Sequence, residues 1–380
     1  MPKNIVICCD GTANEFAKHN TNVVKLYATL QHDPTRQVTY YHPGLGTMEP
    51  AGALTTLARR ITKLLGMAIG YGLANDIRDA YVFLTRTYRA GDKLFMFGFS
   101  RGAYTVRAVA SLLHMYGLIR PDNEPLVPYA TRMLLGIQRA RPKKGQDREA
   151  IKEYFDLASD FKAAMSGTEC KPWFVGVWDT VASVGWVENP LKLPYVTNNP
   201  DIEIGRHAMA LDERRAFFRS HLWRRPADPT APHGPRDVKQ VWFPGVHSDV
   251  GGGYPEDESG LSKLALEWML DEAEPAGLLV DPRKRRDILG QTGGGRYVRP
   301  DPMAMAHESL TGGWHLAELL PKKHYDSKTG KETRRVNLYR RRTIPPQPLV
   351  HRSAFDRGDT YRARLPIDAI RVEGTRVGAL

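Results

Sequence analysis

Cysteine is scarce in this chain: three in 380 residues, Cys8, Cys9 and Cys170. The count is odd and two of them are adjacent in an apolar run, so they offer neither a disulfide framework nor a Cys-x-x-Cys metal site. A reducing compartment is the default, and no metal or other cofactor is expected. Long apolar runs are also missing. The N-terminus, MPKNIVICCDGT, has only residues 5–9 before an aspartate, too short for the core of a signal peptide. No window approaches the ~18 apolar residues of a membrane-crossing helix. The expected location is the cytoplasm, with export only by a leaderless route. Zinc spacings, an RNA-binding aromatic motif and an obvious helix-turn-helix are lacking too, so no nucleic-acid partner is expected. Internal repeats and low-complexity tracts are likewise absent.

Acidic residues are the minority charge, 42 against 54 Lys and Arg, giving a formal charge of +12. That balance favours anionic partners, among them a lipid surface. The rest is ordinary for a globular protein, at 42% hydrophobic and 25% charged residues. The length allows one large core or two modest ones.

Strand-like and helix-like stretches take turns. NIVICC (4–9), QVTYYH (37–42), KLFMFGF (93–99), PWFVGVW (172–178) and QVWFPGV (240–246) read as strands. TNVVKLYATL (21–30), NDIRDAYVFLTRTY (75–88, with Asn75 as N-cap), the residues after Ser100 and LSKLALEWMLDEA (261–273) read as helices. KLFMFGF has almost no polar alternation, so both its faces should be covered. This predicts an α/β fold, a mostly parallel central sheet with helices on both faces, which the serine motif below narrows to α/β-hydrolase-like. A catalytic domain is expected over 1–280, with a helical, lid-like insertion at 120–166. A basic C-terminal extension, 281–380, would pack on that domain or continue it. Within it, 322–342 reads as a hairpin turning near 328–331, either solvated or laid on an anionic membrane.

GFSRG (98–102) fits the G-x-S-x-G nucleophile elbow, in which a serine stands on a sharp strand-to-helix turn. The strand before Ser100 and the periodic helix after it are the context the motif requires. A serine hydroxyl needs a histidine to take its proton and an acid to orient that histidine. In this fold the chain order is Ser, Asp or Glu, His, each at a strand end. Asp179 follows PWFVGVW and His247 follows QVWFPGV, in that order. His207 and His221 are weaker bases because neither ends an apolar strand, and Asp212 in ALDERR reads as structural. The oxyanion would be held by the amide of Arg101 and by that of Gly11 or Thr12, after the first strand. Asp10 and Asp249 are assigned to substrate binding, with Asp249 also placed to shape the His247 loop. DGT (10–12) invites a rival reading as a phosphohydrolase D-x-D-G-T motif. The attacking aspartate of that motif would be residue 8, which is a cysteine.

DGT, TNVVKL, YHPGLGT, GDKLFMFGFSRGAYTVRA, VGVWDTVASVG, ALDERR and WFPGVHSDVGGGY occur in this order in a known group. Over residues 3–275, with HESLTGGWHLAELLP (307–321) as a candidate extension, the chain resembles an α/β-hydrolase domain family. That family includes the bacterial type VI secretion phospholipase effectors of the first lipase class. The resemblance implies a serine esterase cleaving acyl chains from glycerophospholipids, with Ser100, Asp179 and His247 as its triad. It also implies a lipid or small ester substrate, and an immunity or delivery partner for a secreted effector. Those effectors are typically longer, with extra membrane-engaging parts. The alternative is a catalytically silent hydrolase fold that acts as a binding protein.

Overall fold

Along β1 (Asn4–Cys9) alternate side chains enter two different cores, Ile5, Ile7 and Cys9 one of them, Val6 and Cys8 the other. The same division runs through β3 (Lys93–Phe99): Leu94 and Met96 lie on one side, Phe95, Phe97 and Phe99 on the other. In β4 (Pro172–Trp178) it separates Val175 and Val177 from Phe174 and Trp178. An unbroken apolar strand is what a sheet covered on both faces requires. The structure is a computed structural model that describes residues 2–11, 19–44, 56–140, 148–181, 185–186, 189–190, 193–216, 218–223, 234–293, 295–311, 315, 318, 322–325 and 332–373.

The other sheet strands are β2 (Gln37–His42), β5 (Ile204–Ala210), β6 (Asp237–Phe243), β7 (Leu349–His351) and β8 (Ile370–Val372). The order is β8-β7-β6-β5-β4-β3-β1-β2, and every neighbouring pair is parallel. After β1 the chain steps outward to β2, then crosses to β3 on the opposite side of β1 and continues in that direction. One face is covered by α2 (Thr56–Thr87), α3 (Arg101–Tyr116), α4 (Val127–Ala140) and α5 (Arg148–Met165). The other face is covered by α1 (Asn22–Thr29) and, later in the chain, by Gly260–Ala273 and Pro282–Ile288.

Thr21 caps α1, its hydroxyl accepting from the Val24 amide. Asn75 is not a cap. The helix that carries it begins at Thr56, so Asn75 sits in its interior. The sixth strand starts at Asp237 and ends at Phe243, earlier than the apolar run alone suggests, because Gly245 (φ 100°) turns the chain away. Residues 204–210 were not expected to form a strand, nor were β7 and β8. These last two join the same sheet as the N-terminal strands. The 322–342 segment does pair antiparallel, Lys322–Tyr325 with Glu332–Arg335, and the turn expected at 328–331 lies outside the described residues. Within 120–166, α4 and α5 follow a short 3₁₀ turn. The segment is tied down beside the end of α3, where Leu118–Ile119 pairs with Ser166–Thr168 and Lys162 donates to the His114 carbonyl. Among the described residues no helix is long and apolar enough to cross a membrane.

Candidate active site

Between the last residue of β3 and the first of α3 stands one residue, Ser100. Its φ of 56° and ψ of −118° are left-handed for a non-glycine, a strain of order 1–3 kcal/mol that the surroundings must hold. Its amide donates to the Trp178 carbonyl at 3.1 Å, and its carbonyl accepts from the Tyr104 amide at 3.3 Å. Two glycines make the turn sterically feasible. A Cβ at Gly98 would lie 2.5 Å from the Gly102 carbonyl oxygen, and one at Gly102 would lie 2.1 Å from that of Cys9. All of these neighbours are backbone and cannot swing aside. Gly102→Ala should therefore lower stability by ~3 kcal/mol, the upper end for overpacking, read by urea denaturation. A midpoint equal to the parent's would show that the end of β1 yields.

Ser100 is half-buried, and its Oγ–H lies 2.9 Å from His247 Nε2. His247 opens a short helix, α6 (His247–Gly251), and its Nδ1 lies 2.6 Å from Asp179 Oδ2. Asp179 follows β4 directly, at φ 39°, and its amide donates to Ala208 in β5. The imidazole is walled by Phe99 (centroids 4.6 Å, 32°) and by the edge-on ring of Phe218 (4.8 Å, 70°). Phe99 also explains one of the trailing glycines, since a Cβ at Gly251 would lie 1.9 Å from its ring.

Asp179 is fully buried, yet every side of its carboxylate is occupied. Oδ1 accepts from the Ala210 amide at 3.1 Å and from Arg342 Nη1 at 2.5 Å, and Oδ2 from Arg342 Nη2 at 2.8 Å and from His247. Burial alone would raise its pKa; the Arg342 guanidinium and the hydrogen bonds from His247 and Arg342 outweigh that and hold it well below the usual range. His247 is lowered from the ordinary histidine value, because burial outweighs the support of Asp179. A neutral imidazole that accepts from an alcohol and donates to a carboxylate is the arrangement a general base requires.

The remaining expected residues fall into place differently. Arg101 is the first residue of α3, so its amide directly follows the serine. Gly11 donates its amide to Asp10 Oδ1 at 2.7 Å, which engages one oxyanion candidate; the other, Thr12, lies outside the described residues. Asp10 is 2% exposed, and its Oδ2 accepts from Thr21 Oγ1 and Tyr41 OH. Asp249 is equally buried, accepting from the Val246 amide and from His307 through both its amide and Nδ1. Both carboxylates are turned inward, holding the loop after β1 and the start of α6. His207 is buried in β5, accepts from the Thr180 amide, and is pulled down to about 3, first by burial. Asp212 accepts from the Gly245 amide and Tyr361 OH, a structural use.

Two residues went unread in the sequence. Glu213 has no exposed surface; it accepts from the amides of His247, Arg214 and Arg215 and from Ser309 Oγ. Burial raises its pKa, but Arg215 brings it to about 2. The ALDERR stretch was its only signal. Arg342 had none, lying 163 positions from Asp179 in a basic stretch. Among the described residues no three His, Cys, Asp or Glu side chains cluster as a metal site would need.

A family model described as the catalytic domain of Tle1-like phospholipase effectors of type VI secretion matches residues 3–272. The uncharacterised protein YEL023C of Saccharomyces cerevisiae is 35% identical over 225 residues, which cover 57% of this chain and 32% of that protein. The chain thus aligns to about a third of the length of that curated relative. A crystal structure of an uncharacterised protein from Pseudomonas aeruginosa is 22% identical, covering 75% of this chain and 47% of that one with a TM-score of 0.41.

Proposed function

The chain belongs to the family of Tle1-like phospholipase effector catalytic domains of type VI secretion, and from that premise we propose that it is a serine esterase acting on acyl esters of phospholipids. The observation that carries this reading is the pair of hydrogen bonds through one imidazole, 2.9 Å to Ser100 Oγ and 2.6 Å to Asp179 Oδ2. In the proposed reaction His247 Nε2 takes the Ser100 proton as Oγ attacks the ester carbonyl carbon. The negative charge passes to the carbonyl oxygen, held by the Arg101 amide and a second amide, for which Thr12 is the candidate. The positive end of α3 adds to that field. The imidazolium then protonates the departing glycerol oxygen, leaving an acyl-enzyme. Water, deprotonated by His247, releases the fatty acid and restores the serine.

The expected result is covalent labelling of the intact chain by a fluorophosphonate probe, with fatty-acid release from phospholipid vesicles exceeding that from triacylglycerol emulsions. Release that rises with anionic lipid and falls with salt would assign the +12 charge to membrane docking. Failure of the probe to label would overturn the esterase reading and leave a binding protein. As an effector, the chain would also have a delivery partner and an immunity protein.

A further inference from the structure

We propose that Arg342 is a positioning residue of this site, one that keeps Asp179 charged and aimed while His247 is neutral. The proposal rests on the esterase reading above and extends the site beyond residues 3–272, the segment matched to the family. A single guanidinium ties three parts together. Its two terminal nitrogens grip both carboxylate oxygens of Asp179, and Nε donates to the Phe218 carbonyl at 2.6 Å. Phe218 is the aromatic wall of His247. The Arg342 side chain is 4% exposed, so the pair is shielded from water.

The need for such a partner follows from burial. In the resting site the imidazole is neutral, so it supplies no charge to balance Asp179. Burial pushes a carboxylate toward taking up a proton unless a cation or hydrogen bonds oppose it, and here the Arg342 charge is the largest opposing influence. A protonated Asp179 would compete to donate at Nδ1, and the imidazole would lose the tautomer that leaves Nε2 free to accept. Arg342 prevents this. Its fork also draws on the same carboxylate charge that would otherwise stabilise imidazolium, so it helps keep the base unprotonated.

The other charged groups around His247 are paired with one another. Glu213, at its backbone amide, is bonded to Arg215 at 2.8 Å. Asp249, on its own helix, is bonded to His307, which also reaches Glu258. His207, behind Asp179, accepts from Thr180. Loss of the Arg342 charge is therefore felt chiefly by Asp179 and, through it, by His247. The sign is fixed: with the guanidinium gone, the Asp179–His247 pair takes up a proton more readily, whichever of the two holds it, and a neutral base beside a charged carboxylate is restored only at higher pH.

The experiment is the pH dependence of the fluorophosphonate labelling rate in the full chain for the parent, Arg342→Gln and Arg342→Lys, each checked by melting. Arg342→Gln should move the acid limb up by about one pH unit, a tenfold slower reaction on that side, with recovery toward pH 9. Arg342→Lys keeps the charge without the fork, so its midpoint should stay with the parent's while the rate falls several-fold. A Gln variant with the parent's midpoint, its rates scaled down uniformly, would reduce Arg342 to a structural role and overturn the proposal. Should the Gln variant not fold, the Lys variant decides, and a parent-like rate there overturns it. An unlabelled parent would instead refute the esterase reading itself, a distinguishable result.

Discussion

Replacing Ser100 with alanine is expected, on the proposed mechanism, to lower turnover on the order of 10⁶-fold, as removal of the nucleophile does in triad hydrolases. What survives should be the contribution of oxyanion stabilisation and binding alone. The same substitution should leave stability within ~1 kcal/mol of the parent, as for a half-buried position with no broken backbone contact. The reason lies in the turn. Ser100 makes no side-chain cap to α3, and the bonds that hold its left-handed backbone run through its amide and carbonyl. On the proposed mechanism the hydroxyl serves the chemistry, while the backbone serves the fold. Ester turnover and a melting curve on the same preparation test both halves. Parent-like turnover would remove Ser100 from the mechanism, and a collapsed melting curve would show that its hydroxyl holds the turn.

Asp179→Asn should also disable the enzyme, by ~10⁴-fold, because an amide at that position can present its NH₂ to Nδ1 and hold the imidazole in the wrong tautomer. Unlike the serine variant, it should also be much less stable. The substitution leaves the Arg342 guanidinium buried without its carboxylate, and breaking a buried ion pair at one end costs ~3–5 kcal/mol. The deficit should depend on pH in a definite direction. The carboxyl is depressed in the folded state, so its contribution is fully present above the unfolded value near ~4 and fades as pH falls below it. Denaturation of parent and variant at pH 7 and pH 3 should therefore give a wide gap at the first and a narrower one at the second. Equal stability at pH 7 would mean that water reaches Arg342 and that the pair is not shielded.

The parts of this protein that could be read from the sequence are those where one physical demand acts locally. Strands 93–99 and 172–178 are apolar on both faces because helices cover both, and that appears directly as unbroken runs. The elbow is equally local: two glycines two residues to either side of one serine answer backbone contacts close to 2 Å. His247 and Asp179 were reachable through chain order and strand ends. Strand 204–210 was not, because Arg206 and His207 interrupt its pattern. Their reasons lie far off, in Glu272 and Asp237 for the arginine and in the Thr180 amide for the histidine. Arg342 was hidden for the same cause. A basic residue among basic residues has no local mark, and only the folded chain shows that it reaches Asp179. For Asp10 and Asp249 the sequence has no mark of the local hydrogen bonds by which each carboxylate organises its own loop.

The reversal of strand order around β1 has a geometric outcome of its own. The helix leaving β1 and the helix leaving β3 depart to opposite faces of the sheet, and in open α/β sheets the carboxyl ends of two such strands are where ligands bind. Ser100 follows one of these two strands and residues 10–11 the other. A fatty chain seated there would be gripped mainly by segments that precede residue 120. The segments beyond β5 supply His247 and Arg342 to that edge instead, so the two halves of the chain meet at Ser100.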